Sequence, residues 1–115
     1  ADMVTVKPSR CGGCAAAAAL VDRATAAGWA VHIGGMLESG LGRAIARLLT
    51  GHPAVAGPSM VGPTGLLFTD DVVAPVAADT DGRVPIPAGP GLAPSPEPNR
   101  LDRLTVGRWT GGRWP

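Results

Sequence analysis

The chain has 115 residues and a formal charge of +1, from ten basic and nine acidic side chains spread along its length. That is enough for one small domain and too little for two with sizeable cores. The apolar share is 45% but aromatic residues supply only 3%; alanine carries much of the rest, so the core is expected to be thin, at roughly 25 cal/mol per Å² buried. No basic stripe interleaved with aromatics points to nucleic acid, and no apolar run approaches the roughly 20 residues of a membrane span. No secretory leader is expected, two cysteines make no disulfide framework, and a reduced, cytoplasmic protein is the expectation.

The chain opens on a short strand, Met3 to Lys7, in which Val4, Thr5 and Val6 favour extended structure. Pro8 ends it, because proline donates nothing to a ladder. Ser9 to Gly13 forms a tight loop, and 14–27 is read as a helix. Its five alanines, Ala15 to Ala19, have the highest helix propensity. Leu20, Val21 and Ala24 are expected to form its apolar stripe, and Gly28 its C-terminal cap. A second strand follows from Trp29 to Ile33. Ser39 is placed as the N-cap of a second helix over 40–50, with Leu41, Ile45, Leu48 and Leu49 at helical spacing. A third, weaker strand is expected near Val55 to Met60.

From Val76 the composition changes. "DTDGRVPIPAGPGL" contains an Asp81-Gly82 turn and a short proline-bounded strand, and "APSPEP" leans to polyproline. "NRLDRLTVGRW" reads as a helical turn followed by an edge strand. Pro and Gly together make up 29 residues (12 + 17), a share that suits loops. Short loops between 11- to 14-residue helices are what βα units of a parallel sheet show. Such a sheet needs both faces covered, and two and a half units leave faces bare. The chain therefore reads as part of a larger α/β protein, or as a protomer completed by assembly.

Two features look chemical. Cys11-Gly-Gly-Cys14, between a strand and a helix N-terminus, has the layout of a dithiol site. A zinc site would want four ligands, and no second pair is present. Lys7, at the strand end, is the other candidate. His32 alternates with Val31 and Ile33 and is read as a packed histidine; His52, in a Gly-His-Pro turn, is expected at the surface. Glu38 is read as a local cap and ion-pair partner, with Arg43 the nearest candidate. Asp70 and Asp71 are expected to cap or face solvent.

"VKPSRCGG", then "HIGGMLESGLGRA", then "DGRVPIPAGPGL" resembles the C-terminal part of the enolase superfamily. The subgroup it is most similar to is the muconate-lactonizing one, especially o-succinylbenzoate synthases and N-acylamino acid racemases. The resemblance implies an α/β fold: a partial (β/α) TIM-type barrel, about strands six to eight, over 1–75. It also implies a loop-rich segment over 76–115 that returns to a capping domain. It implies abstraction of the proton α to a carboxylate, assisted by Mg²⁺ whose ligands lie on strands three, four and five, upstream of Ala1.

On that resemblance Lys7 is the catalytic residue of the chain, since barrel sites lie at the C-terminal strand ends. In the synthases this lysine can act as a cation beside the enediolate; in the racemases it transfers protons. Gly34, Gly35 and Met36 are implied to bind substrate, with glycines because the backbone itself approaches the ligand; a plain strand-to-helix turn is the other reading. No metal ligand is expected in this chain. The partners implied are a small-molecule carboxylate and, at full length, further copies of the same chain, with neither nucleic acid nor membrane.

One departure stands out. Where the resembled racemases carry a "PGD-S" pattern, this chain reads "AGPSMVGPTGLLFTDD", more like the cycloisomerases, yet the position of their acid is Ser59. A lactonizing reaction that needs that acid is disfavoured. A cycloisomerase or dipeptide epimerase-like member, a non-catalytic module and a thiol site at Cys11 and Cys14 remain alternatives.

Overall fold

The structure is a computed structural model and describes residues 2–92, 94–108 and 110–111. Two short strands, β1 (Met3–Val6) and β2 (Ala30–Ile33), pair in parallel with Val4 opposite Val31 and Val6 opposite Ile33. Parallel strands need a crossover, and α1 (Cys14–Ala26) supplies it. A second helix, α2 (Gly40–Thr50), leads from β2 to a third extended segment. This is a small parallel α/β layer with helices on the sheet.

The third strand forms only two isolated parallel bridges, Val31 with Val55 and Gly34 with Met60. Two residues break the ladder between them. Gly57 takes a positive φ of 80°, and Pro58 has no N–H to give. The Ser59 hydroxyl stands in for a main-chain acceptor and takes the Ile33 N–H at 3.3 Å. The second bridge forms at Met60, whose N–H donates to Ile33 O at 2.9 Å.

α1 is shorter by one residue than expected, and its buried stripe is Ala17, Val21 and Ala24. Leu20 lies on the exposed side, since i, i+4, i+7 is the spacing that faces the sheet. Its end is a paired C-terminal motif. Gly28, at a φ of 78°, donates to Thr25 O, and Trp29 donates to Ala24 O. Both bonds satisfy carbonyls that the last turn leaves free.

Ser39 caps α2 through its hydroxyl, which accepts the Gly42 N–H at 3.4 Å. Asp71 supplies a second cap from far along the chain: Oδ2 accepts the Gly40 N–H at 2.7 Å. Close approach here depends on Gly40, where a Cβ would run into the Val73 side chain.

The core is made of small residues, as composition requires. Val6, Val21, Val31, Ile33 and Val73 are the largest fully buried side chains. The radius of gyration is 15.7 Å, against about 13 Å for a compact chain of this length. In the second half Asp79 to Arg83 forms the expected Asp-Gly turn, with Gly82 N–H on Asp79 O, but no strand follows it. The last helix, α3 (Pro98–Leu104), is clamped by Asp70, whose carboxylate meets Arg100 at 3.1 Å and Arg103 at 2.6 Å. Thr105 to Arg108 form no strand; the rest of the expected edge strand reaches Trp109, outside the described residues. Among the described residues no helix is long and apolar enough to cross a membrane.

Candidate active site

Because β1, β2 and the third segment run parallel, their C-terminal ends emerge on one edge. Lys7 follows β1 directly, Gly34 to Met36 follow β2, and Met60 lies on the third line. Parallel α/β sheets present their ligand sites on this edge. Lys7 is half-buried, and its Nζ donates to the Met36 Sδ at 3.4 Å. Lys7 is also the only lysine in the chain.

The three expected substrate-binding residues have different surroundings. Gly34 is buried and donates its N–H to Val6 O at 2.9 Å. A Cβ there would lie 2.8 Å from the Thr5 methyl and 3.0 Å from both Cγ and Cε of Lys7. Gly35 is half-buried, and a Cβ on it would lie 2.8 Å from Met60 O. Met36 is exposed. Gly35 and Met36, with Leu37, Arg43, Met60 and Leu66, line an open and largely apolar cavity of about 380 Å³ beside the lysine. That lies within the size range of small-ligand sites, about 300–1,000 Å³.

Two side chains hold this edge together. Glu38 does not pair with Arg43. Its Oε2 accepts the Met36 N–H at 2.6 Å and its Oε1 accepts the Ser9 hydroxyl at 2.8 Å. This joins the loop after β2 to the loop that follows Lys7. Arg43 is buried on α2 and donates to Met36 O at 3.1 Å and to Gly62 O at 3.0 Å, fixing the loops after the second and third lines. Among the described residues its Nε has no partner, and neither has that of Arg47, one turn on and buried as well. Burial first, and then the Arg43 charge, push the Arg47 guanidinium down from its usual value. Among the described residues no carboxylate pairs with either arginine.

Around this edge lie Lys7 and Arg43, while the Glu38 carboxylate is already engaged by two donors. The arrangement favours an anionic ligand whose body is apolar. Thr5, Ser9 and Arg43 were not among the sequence candidates. Arg43 had a signal, since it lies four residues after the N-cap Ser39 and so returns toward the start of α2. Thr5 and Ser9 had none, because each acts through a residue 29 positions away.

The remaining chemical candidates have structural partners. His32 is half-buried, its Nδ1 3.4 Å from the Thr5 hydroxyl. His52 is half-buried rather than fully exposed: its Nδ1 accepts the Ala54 N–H, and its Nε2 lies 3.2 Å from the Asp22 carboxylate. Cys11 packs against the core and Cys14 is an exposed first residue of α1; both are free thiols. Among the described residues no group of three His, Cys, Asp or Glu could hold a metal. Asp70 and Asp71 are taken by two arginines and three backbone amides. The Mg²⁺ implied by the resemblance finds no ligand set among the described residues.

The fold is a small parallel α/β layer with the Lys7 amine and two glycines at the C-terminal edge of its strands, next to a loop tied by Arg43. Residues 1–99 match the enolase C-terminal domain-like family, and the chain belongs to it. It is 36% identical over 110 residues to an N-succinylamino acid racemase of Amycolatopsis sp., a match covering 95% of this chain and 30% of that protein. Among solved structures it superposes with a TM-score of 0.83 at 30% identity on one from Alicyclobacillus acidocaldarius described as a probable mandelate racemase, covering 93% of this chain and 28% of that one. It superposes with a TM-score of 0.75 at 25% identity on an N-succinyl Arg/Lys racemase from Bacillus cereus, covering 93% and 28%. The chain thus spans under a third of the length of the relatives it matches.

Proposed function

We propose that this chain supplies the lysine-bearing part of an enolase-superfamily active site that removes the proton α to a carboxylate, of the racemase type. Residues 1–75 would form the last part of a (β/α) barrel, about strands six to eight, and 76–115 the segment closing on a capping domain. The observation that carries the reading is the position of Lys7, directly after β1 on the C-terminal edge, with its Nζ against Met36 at 3.4 Å. A neutral Lys7 amine would accept the α-proton from one face of an N-acylated amino acid. Return of a proton to the opposite face, from a second base outside this chain, would invert the centre. The cavity bounded by Gly35 and Met36 would take the acyl part. Mg²⁺, if the whole protein follows its family, would be held by residues outside those described. A cytoplasmic homo-oligomer acting on a small carboxylate fits the same reading.

A second reading, in which Lys7 serves only as a cation beside the enediolate as in a synthase, is kept open by the Arg43 and Lys7 charges. Two substitutions in the full-length protein test both, with N-succinyl amino acids and the cyclohexadiene precursor of o-succinylbenzoate as substrates. Lys7→Ala abolishes turnover under either reading, and undiminished turnover refutes both. Lys7→Arg keeps a cation but not a usable base. It abolishes racemisation under the first reading and preserves synthase turnover under the second.

A further inference from the structure

The Gly34 contacts have a consequence for the amine itself. The Lys7 side chain does not extend freely from the strand end. Its stem runs across the α-carbon of Gly34, where a Cβ would lie 3.0 Å from Cγ and 3.0 Å from Cε. The Thr5 methyl closes the space from the side, 2.8 Å from the same point, and the Met36 sulfur receives the tip at 3.4 Å.

We propose that Gly34 is a positioning residue for Lys7: its missing side chain, the Thr5 methyl and the Met36 thioether form a channel that sets where the amine stands. This rests on the reading of Lys7 as the proton-transfer group and adds what places it.

The argument turns on which atoms can yield. The Gly34 backbone is held by its N–H bond to Val6 O and by its bridge to Met60. Thr5 is β-branched and has few χ1 choices; its partner across the sheet is His32. Lys7 has four rotatable side-chain bonds, and among the described residues its Nζ meets one side-chain partner, Met36. A methyl group added at Gly34 would therefore press on the Thr5 methyl, which has little room to turn, and push aside the lysine stem, which can yield. A displacement of the stem at Cγ and Cε carries the Nζ with it and breaks the contact with sulfur. The sulfur itself is a weak acceptor, so it marks the end of the channel and cannot hold the amine against a steric push.

Because Lys7 is the sole lysine, its acylation by an amine-reactive ester can be followed by mass spectrometry on this chain without any assay of turnover. The variants are Gly34→Ala, Met36→Leu, and Gly34→Ala combined with Thr5→Ser. The serine keeps the hydroxyl that faces His32 and removes the methyl that a new Cβ would strike, so the double variant guards against a fold lost through Thr5 alone. Gly34→Ala and Met36→Leu are expected to acylate Lys7 faster than the parent chain. The double variant is expected to melt close to the parent and still acylate faster. In the full-length enzyme Gly34→Ala is expected to lower kcat by about 100-fold, the effect of misplacing a reacting group by about 1 Å, with little change in KM. An unchanged acylation rate in Gly34→Ala, or a parental rate in the double variant, overturns the proposal. A raised acylation rate with undiminished turnover supports the channel and removes Lys7 from the chemistry, so the two readings fail separately.

Discussion

Replacing Asp71 with alanine tests how α2, and with it Arg43, is anchored. Asp71 is buried, and its two oxygens accept the Gly40 N–H and the Val72 N–H, each at 2.7 Å. Gly40 is buried as the first residue of α2. Ser39 cannot substitute, because its hydroxyl is committed to the Gly42 N–H at 3.4 Å. Alanine leaves the Gly40 donor without a partner or water, at about 1–3 kcal/mol. It also removes a negative charge from the helix N-terminus, at about 0.3–1 kcal/mol. Together the loss is about 1–4 kcal/mol, a substantial part of the roughly 5–15 kcal/mol that holds a domain. Asp71→Asn keeps the acceptor geometry and loses mainly the charge, so it should cost about 0.3–1 kcal/mol. Urea unfolding followed by far-UV circular dichroism measures both. If the alanine variant unfolds at the parental midpoint, the cap contributes nothing and the account of α2 is wrong. If asparagine costs as much as alanine, the charge rather than the hydrogen bond is what matters.

Arg47→Met should raise the urea midpoint, because it removes a buried guanidinium whose Nε has no partner and which Arg43 repels; a lower midpoint would show that the charge meets a partner of its own. Asp70 is held below its usual 3.8, first by the hydrogen bond from Arg103 and then by the Asp71 N–H. A carboxyl depressed in the folded state adds stability above its unfolded value and loses it as pH falls through the folded one. Proteolysis at α3 should therefore accelerate below about pH 4, and Asp70→Asn should show the faster cleavage at neutral pH with no further acid dependence. Gly35→Ala should distort the loop that carries Met36, since a Cβ would lie 2.8 Å from Met60 O, a backbone atom that cannot step aside; a fully active full-length variant would show that this approach is dispensable. Cys14→Ser, at the exposed start of α1, should leave turnover unchanged, and a loss would revive the thiol reading.

Much of the architecture was present in the sequence because it is local. The bounds of α2 follow from Ser39 as N-cap and Gly51 as its end, and the exit of α1 from Gly28, where only glycine is at ease with a positive φ. The order strand, helix, strand, helix is readable from propensity and period, and the run from Lys7 through "GGMLESGLGRA" carried the family. Which face of α1 is buried was not readable, since alanine is compatible with either side, and only the sheet beneath selects Ala17, Val21 and Ala24 over Leu20. The third strand, expected as the weaker one near Val55 to Met60, is reduced to two bridges, because Gly57 and Pro58 interrupt a ladder whose partner the sequence cannot specify.

At the site the same division holds. The resemblance in "VKPSRCGG" and "HIGGMLESGLGRA" pointed to the lysine and the two glycines. It could not show their relation. Lys7 meets Gly34 and Met36 because β1 and β2 run in parallel and in register, which brings residues 27 and 29 positions apart to one edge. Glu38 pairs with Ser9 and Met36 rather than with Arg43, and Asp71 caps a helix that begins 31 residues earlier. Such contacts are decided by the geometry of packed elements rather than by spacing along the chain, so composition and motif determined which groups this protein has, and only the tertiary structure decided what each of them faces.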